Sequence, residues 1–229
     1  QRVLLQQNPK INIPPFSTVN RSEPLERFLF AFPVVAKPAR GGSSLGVEVI
    51  LTQQDLSTAL ERILPYDGRA IIEPLLHGLE FSCIVIEDEP LHTSPLIKGR
   101  IPRALTPTET VHTQEIFTYN EKYMPGGSNK ITPARVNAET LSKIQAMCVE
   151  TFATLGFRGY ARIDGFVLSE ALSVERLAFR QKSSPIPYTL NPKPFPAETI
   201  LITDPNVYSV MAPYSWAFHQ AAHENWTPA

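Results

Sequence analysis

No apolar run in this 229-residue chain approaches the roughly 20 residues of a membrane-spanning helix, and the N-terminal stretch lacks a signal-peptide pattern. Neither sign of charge is in excess: 21 lysines and arginines face 22 acids, a net charge of −1. That balance argues against a nucleic-acid surface or an acidic-lipid binder and favours a small-molecule partner. Cysteine is scarce, with Cys83 and Cys148 far apart in apolar surroundings. They fit neither a zinc site nor a disulfide framework, and are expected to be buried reduced thiols in a cytosol-like compartment. A Walker phosphate loop is missing as well, since no Gly-Lys-Ser/Thr opens a helix. So is an initiating methionine: the chain begins Gln1-Arg-Val-Leu-Leu and reads as part of something longer. A cytoplasmic location is expected, with any targeting segment upstream out of sight. The length suffices for one large domain or two small ones with a real core.

What is present centres on Lys37-Pro-Ala-Arg-Gly-Gly-Ser-Ser-Leu-Gly46. An apolar run at 32–36 precedes it and another at 47–51 follows, which predicts a hairpin with a mobile tip. Gly41, Gly42 and Gly46 leave backbone N–H groups unshielded, Ser43 and Ser44 add hydroxyls, and Lys37 and Arg40 add charge, a set that suits a polyphosphate. An ordinary glycine-rich turn has the same composition. Residues 2–7 read as the end of a helix and 12–19 as an extended entry into a sheet. Ser22 and Pro24 predict a short helix with Leu25, Phe28 and Leu29 on its apolar face. Thr52 with Asp55 resembles a capping box, opening a helix that carries Leu56, Leu60, Ile63 and Leu64. Arg69 to Glu73 is a buried strand ending in an acid. After a break at Gly78 another strand begins at Phe81, with residues 87–90 as its polar turn. A subdomain boundary is expected near Gly78, where strand and helix alternation gives way to an antiparallel meander.

Residues 99–132 are polar and irregular, with Tyr119-Asn-Glu-Lys122-Tyr123 at their centre, and read as a working loop. Asn137 caps a helix over 138–155 that Gly156 stops. The strand 160–168 puts Arg162 and Asp164 on one face, an arrangement that is expensive to desolvate unless the charges have partners. An ion pair closing a sheet edge is the plainer explanation. Residues 169–199 hold five prolines and four basic side chains and read as a surface insertion. The strand 200–206 ends with Asp204 and Asn206 on the same side, and Pro213 opens a last helix through Ser215 and Trp216.

In order along the chain, Lys-Pro before a Gly-Ser loop, Glu73 ahead of Gly78 and Glu80, Tyr-x-x-Lys-Tyr, Arg-x-Asp and acid-x-Asn resemble the ATP-grasp fold. Within that fold, the chain looks like the D-alanine:D-alanine ligase family, from about Arg2 to Asn225. No single motif is specific; the ordered set is. The resemblance implies an α+β fold with two subdomains sandwiching ATP: residues 1–77 as the central one, and 78–229 as the C-terminal catalytic one, carrying the insertion at 169–199. It also implies roles. Lys37 and the Ser43-Ser44 loop would cover the phosphates, with Ser43 near the amino-acid substrate; Glu73 and Leu76 would hold the adenine edge and Glu80 the ribose. Lys122 and Tyr123 would close a lid over an acyl phosphate that water would otherwise hydrolyse. Arg162 would stabilise charge on the tetrahedral intermediate or on the transferred phosphoryl oxygens, and Ser215 would face substrate. Asp164, Asp204 and Asn206 would bind magnesium or manganese. The implied activity is ATP-dependent carboxylate–amine ligation with D-alanine, and the family is commonly dimeric.

The chain also departs from that pattern. Asp204 replaces the usual glutamate, and Ser209-Val210 replace Pro-Gly, although Met211 and Ser215 stay in register. The family's N-terminal glycine-rich domain, and a lysine just before residue 1, are not among these residues, so a further domain or partner subunit is expected to complete the site. Two alternatives stay open: a catalytically inactive structural or nucleotide-sensing subunit that docks through the proline-rich segment, and a ligase for a different acid and amine.

Overall fold

In chain order a short helix α1 (Arg2–Leu5) precedes β1 (Ser17–Asn20), β2 (Val34–Pro38), β3 (Glu48–Ile50), helix α2 (Gln53–Asp67) and β4 (Arg69–Pro74). A computed structural model describes residues 1–21, 30–40, 45–88, 101–111, 129–168, 198–207 and 215–225. The four strands form one antiparallel sheet in the order β1-β4-β2-β3. The capping box that starts α2 is formed: Asp55 N–H donates to Thr52 Oγ1 at 3.2 Å, and Thr52 N–H donates to the Asp55 carboxylate at 3.0 Å. The helix stops at Gly68, whose φ of +76° is a left-handed cap that glycine adopts without a Cβ clash. Leu56, Leu60 and Ile63 pack on Val34, Ala36, Ile50, Ala70 and Ile72. Burying each large side chain contributes about 1.5–3 kcal/mol. Because strands alternate, turning Val34 and Ala36 under α2 sends Val35 and Lys37 to the other face, together with their cross-strand partners Glu73 and Ile71.

The second sheet is built from β5 (Gly78–Asp88), β6 (Ile101–Ala104), β7 (Thr108–Val111), β8 (Asn129–Ile131), β9 (Tyr160–Leu168) and β10 (Ile200–Asn206). Its order is β10-β9-β5-β7-β8, with β6 also pairing β5. Helix α3 (Ala138–Thr154) covers one face, capped by Asn137, whose Oδ1 accepts from Thr140 N–H at 2.8 Å. Beneath it Phe81, Cys83, Val85, Ala161 and Ile163 meet Ile144, Cys148 and Phe152. Leu5 and Ile11 belong to this second core, although the chain from them leads into the first sheet. Helix α4 (Trp216–His223) lies on the opposite face over Ile84 and Leu105 through Ala217. Both cysteines are buried and free, and burial pushes the Cys148 thiol above its ordinary range. Among the described residues no helix is long and apolar enough to cross a membrane.

Two expectations change. Residues 99–132, read as irregular, contain β6, β7 and β8. Thr108, Glu109 and Thr110 are buried through polar partners, Thr132, Arg135 and Trp216, so β7 carries no apolar alternation to reveal it. The strand expected from Phe81 begins at Gly78, paired with Leu168. A Cβ on Gly78 would sit 2.2 Å from the Val167 carbonyl oxygen, so the apparent break is what lets the strands approach. The last helix spans Trp216–His223 with Ser215 at its N-cap, and the Pro213 from which it was expected to open lies outside the described residues. The helix expected after Ser22, and the insertion except for Leu168's neighbours Glu198 and Thr199, lie outside the described residues.

Candidate functional site

The site face of the second sheet follows from period-two alternation. In β9, Ala161 and Ile163 enter the core, which turns Arg162 and Asp164 the other way. Directly opposite them on β10 lie Asn206 and Asp204. That placement depends on one extra residue. Ile202 pairs with Gly165 and Asp204 with Asp164, leaving Thr203 bulged between them. Unbroken alternation from Ile202 would have turned Asp204 and Asn206 into the core. Two contacts hold the bulge: Thr203 Oγ1 donates to the Asp164 carbonyl at 3.2 Å, and the Thr203 carbonyl accepts from Arg2 Nη2 at 3.0 Å.

Asp164 is buried, and both its oxygens accept hydrogen bonds. Arg162 Nε donates to its Oδ1 at 2.9 Å and Nη2 to Oδ2 at 2.7 Å, while Ser82 Oγ donates to Oδ1 at 2.6 Å. The guanidinium of Arg162 stacks 4.5 Å from the centre of the Trp216 ring. Lys130 Nζ lies 4.8 Å from the same ring. Burial, and after it the charge of Arg162, hold Lys130 below the usual lysine range. Burial likewise lowers His219, with Lys130 adding to it. Asp204 is exposed and Asn206 half-buried, so two carboxylates and an amide share the face. Such a donor set suits a hard cation that takes its remaining oxygens from phosphate. Among the described residues no three His, Cys, Asp or Glu side chains cluster to cage a metal unaided. Ser215 Oγ is buried without a hydrogen-bond partner among the described residues.

On the first sheet, Lys37 and Glu73 are diagonal neighbours, and Lys37 Nζ meets Glu73 Oε1 at 2.5 Å. Arg2 Nη1 approaches Glu73 Oε2 at 2.6 Å, a charge contact outside the alignment of a hydrogen bond.

Residues 5–174 match the protein family described as D-ala D-ala ligase C-terminus. The chain belongs to this family. A D-alanine--D-alanine ligase of Corynebacterium jeikeium is 29% identical over 179 residues, covering 78% of the chain and 46% of the relative. One from Leptospira biflexa is 34% identical over 143 residues, covering 62% and 39%. The chain spans about half the length, or less, of the curated relatives it matches. In structure, a Bacillus anthracis D-alanine--D-alanine ligase complexed with ATP superposes with a TM-score of 0.66 at 17% identity, over 98% of this chain and 58% of that one. The VanG D-Ala:D-Ser ligase of Enterococcus faecalis gives 0.54 at 26% identity, over 69% and 44%. The fold is α+β and ATP-grasp, as the motif order implied.

Of the residues that the ligase resemblance singled out, the fold brings Arg162, Asp164, Asp204 and Asn206 together. Glu80 joins the same face of β5, two residues before Ser82 and opposite Phe166. Lys37 and Glu73 form their own pair, and Leu76 is half-buried in the short link between β4 and β5. Ser43, Ser44, Lys122 and Tyr123 lie outside the described residues. Sequence reasoning missed Ser82, Gln220 and Arg2. Ser82 was recoverable, because Glu80 and Ser82 alternate with Phe81 and Cys83. Gln220, fully buried, fills the gap in the β5 ladder: Nε2 donates to the Ser82 carbonyl at 2.8 Å, and Oε1 accepts from Ile84 N–H at 2.9 Å. Arg2 has no local signal, since its contacts are with Glu73 and Thr203.

Proposed function

We propose that this chain supplies the nucleotide- and metal-binding part of an ATP-dependent ligase that joins a carboxylate to an amine through an acyl phosphate. The observation that carries the reading is the bulge at Thr203, which sets Asp204 and Asn206 opposite Asp164 and Arg162. In this reading residues 1–77 and 78–229 are the two subdomains between which ATP lies. Lys37, with Ser43 and Ser44, meets the phosphates, and Glu80 the ribose. Because the Glu73 carboxylate is held by Lys37 and Arg2, the backbone at the end of β4 and Leu76 are left to meet the adenine. Asp164, Asp204 and Asn206 hold magnesium, which when bound would neutralise phosphate charge. Arg162, fixed by Asp164 and Trp216, presents donors to the phosphoryl group as it passes to the substrate carboxylate. Lys122 and Tyr123 then exclude water while the amine attacks the acyl carbon and phosphate leaves. The Ser215 hydroxyl, without a partner among the described residues, is available to an amino-acid carboxylate.

D-alanine is the first substrate to test on both sides, with D-serine second, because a D-Ala:D-Ser ligase is among the similar structures. The full protein with ATP, magnesium and D-alanine is expected to release ADP and phosphate and to form the dipeptide. Nucleotide binding without phosphate release, whichever amino acid is offered, would replace the ligase reading with that of a nucleotide-holding subunit.

A further inference from the structure

Two cations converge on the Glu73 carboxylate, and they are held very differently. Arg2 is anchored at three points: Nη1 at 2.6 Å from Glu73 Oε2, Nη2 at 3.0 Å from the Thr203 carbonyl, and its guanidinium 5.6 Å from the centre of the Phe16 ring. Among the described residues Lys37 touches charge only at Glu73 Oε1. The side chain of Glu73 is 8% exposed and that of Arg2 10%, against 21% for Lys37. Two positive charges against one negative leave this cluster with an excess of one, the sign that attracts phosphate.

A buried carboxylate stripped of its only counter-charge is strongly destabilising. If Lys37 were the sole partner of Glu73, drawing it onto a phosphate would create that state. With Arg2 in place it would not. We infer that Arg2 is a positioning residue for nucleotide binding: it holds Glu73 so that Lys37 can exchange that carboxylate for a phosphate oxygen. Arg2 also donates to the carbonyl of the bulged Thr203, a contact that does not involve Glu73 and that the Glu73→Gln background below keeps separate. The inference rests on the proposed contact between Lys37 and phosphate.

A double-mutant cycle on the full protein tests it, read as the affinity for a non-hydrolysable magnesium–ATP analogue by calorimetry. Arg2→Gln is expected to weaken binding about tenfold when Glu73 is present, and by less than about twofold in the Glu73→Gln background, where no buried carboxylate needs a counter-charge. Equal losses in both backgrounds would overturn the inference, since scaffolding or long-range attraction would then explain Arg2. Arg2→Lys keeps the charge that faces Glu73 but gives up the fork that also reaches the Thr203 carbonyl, and because the inference turns on the charge it is expected to cost less than Arg2→Gln, about threefold. A tenfold loss there would also overturn it, and this variant decides the matter should Arg2→Gln fail to fold in urea titrations. Lys37→Met checks the underlying reading separately: unchanged affinity would remove the phosphate role of Lys37 itself.

Discussion

Glu73 and Asp164 are both buried carboxylates gripped by an arginine, yet they sit in groups of opposite charge. Glu73 is shared by Arg2 and Lys37, which leaves an excess of positive charge. Asp164 is matched by Arg162 and a neutral serine, with the second carboxylate of Asp204 directly across the strand pair. Lys130 on the Trp216 ring adds a cation to the second group and Glu80 on the same face an acid, so three acids stand against two cations there, and the same pairing chemistry leaves a positive excess on the first sheet and a negative one on the second. A magnesium-bearing polyphosphate complements both. Buried ion pairs add little net stability by themselves, so what distinguishes the two groups is the charge left over.

Breaking the negative group should have the largest effect. Asp164→Asn removes the charge opposite Arg162 and one of the two carboxylates proposed for the metal. The apparent magnesium affinity in the presence of nucleotide is expected to fall by about 100-fold. Leaving Arg162 without its counter-ion should cost about 3 kcal/mol in urea denaturation. An unaltered magnesium dependence would show that Asp164 serves only to fix Arg162.

Scaffold and charge can then be separated at Gln220. Its side chain bonds the Ser82 carbonyl and the Ile84 N–H between the stretches of β5 that pair with β7 and β6. Gln220→Ala strands both backbone groups and opens a cavity, with an expected loss of about 2–4 kcal/mol in urea denaturation. If stability barely changes, water or a neighbour must satisfy those groups, and Gln220 is not what holds Ser82 in place beside Asp164.

How much of this could be read beforehand follows the same division. β2, α2, α3 and β9 were legible because local signals, namely the Thr52–Asp55 box, the Asn137 cap and the Tyr160 to Leu168 alternation, agree with their packing. The pairing of Arg162 with Asp164 on one face followed from period two alone. β7 was hidden because its buried residues are threonines and a glutamate satisfied by distant partners. The bulge at Thr203 was hidden as well: the strand 200–206 shows that Asp204 and Asn206 share a side, but only pairing against β9 shows which side faces the core. Arg2 was out of reach for the same reason, since helix α1 gives no hint of the carboxylate and carbonyl it meets far along the chain.

A third carboxylate–arginine pair supplies the control for both site clusters. Glu109 Oε1 accepts from Arg135 Nη2 at 2.6 Å and Oε2 from Nε at 2.8 Å, with the Arg135 N–H adding a bond at 3.2 Å. Its partner across β5 is Phe81, so Glu109 points to the helix side of the sheet, away from Asp164. The hydrogen bonds from Arg135 hold the Glu109 carboxyl below its ordinary value of 4.5. A lowered folded-state pKa means that the stabilisation is full above the unfolded value and fades as pH falls through the folded one. The Arg135 side chain is 61% exposed, so solvent screens the pair, and Glu109→Gln should cost only about 1 kcal/mol at neutral pH. That gap from the wild type is expected to stay constant down to the ordinary glutamate range and to close below it, while nucleotide affinity is unchanged. A loss of nucleotide affinity in Glu109→Gln would mean that pairing itself, wherever it lies on the second sheet, tunes the site, and the contrast in leftover charge would lose its force.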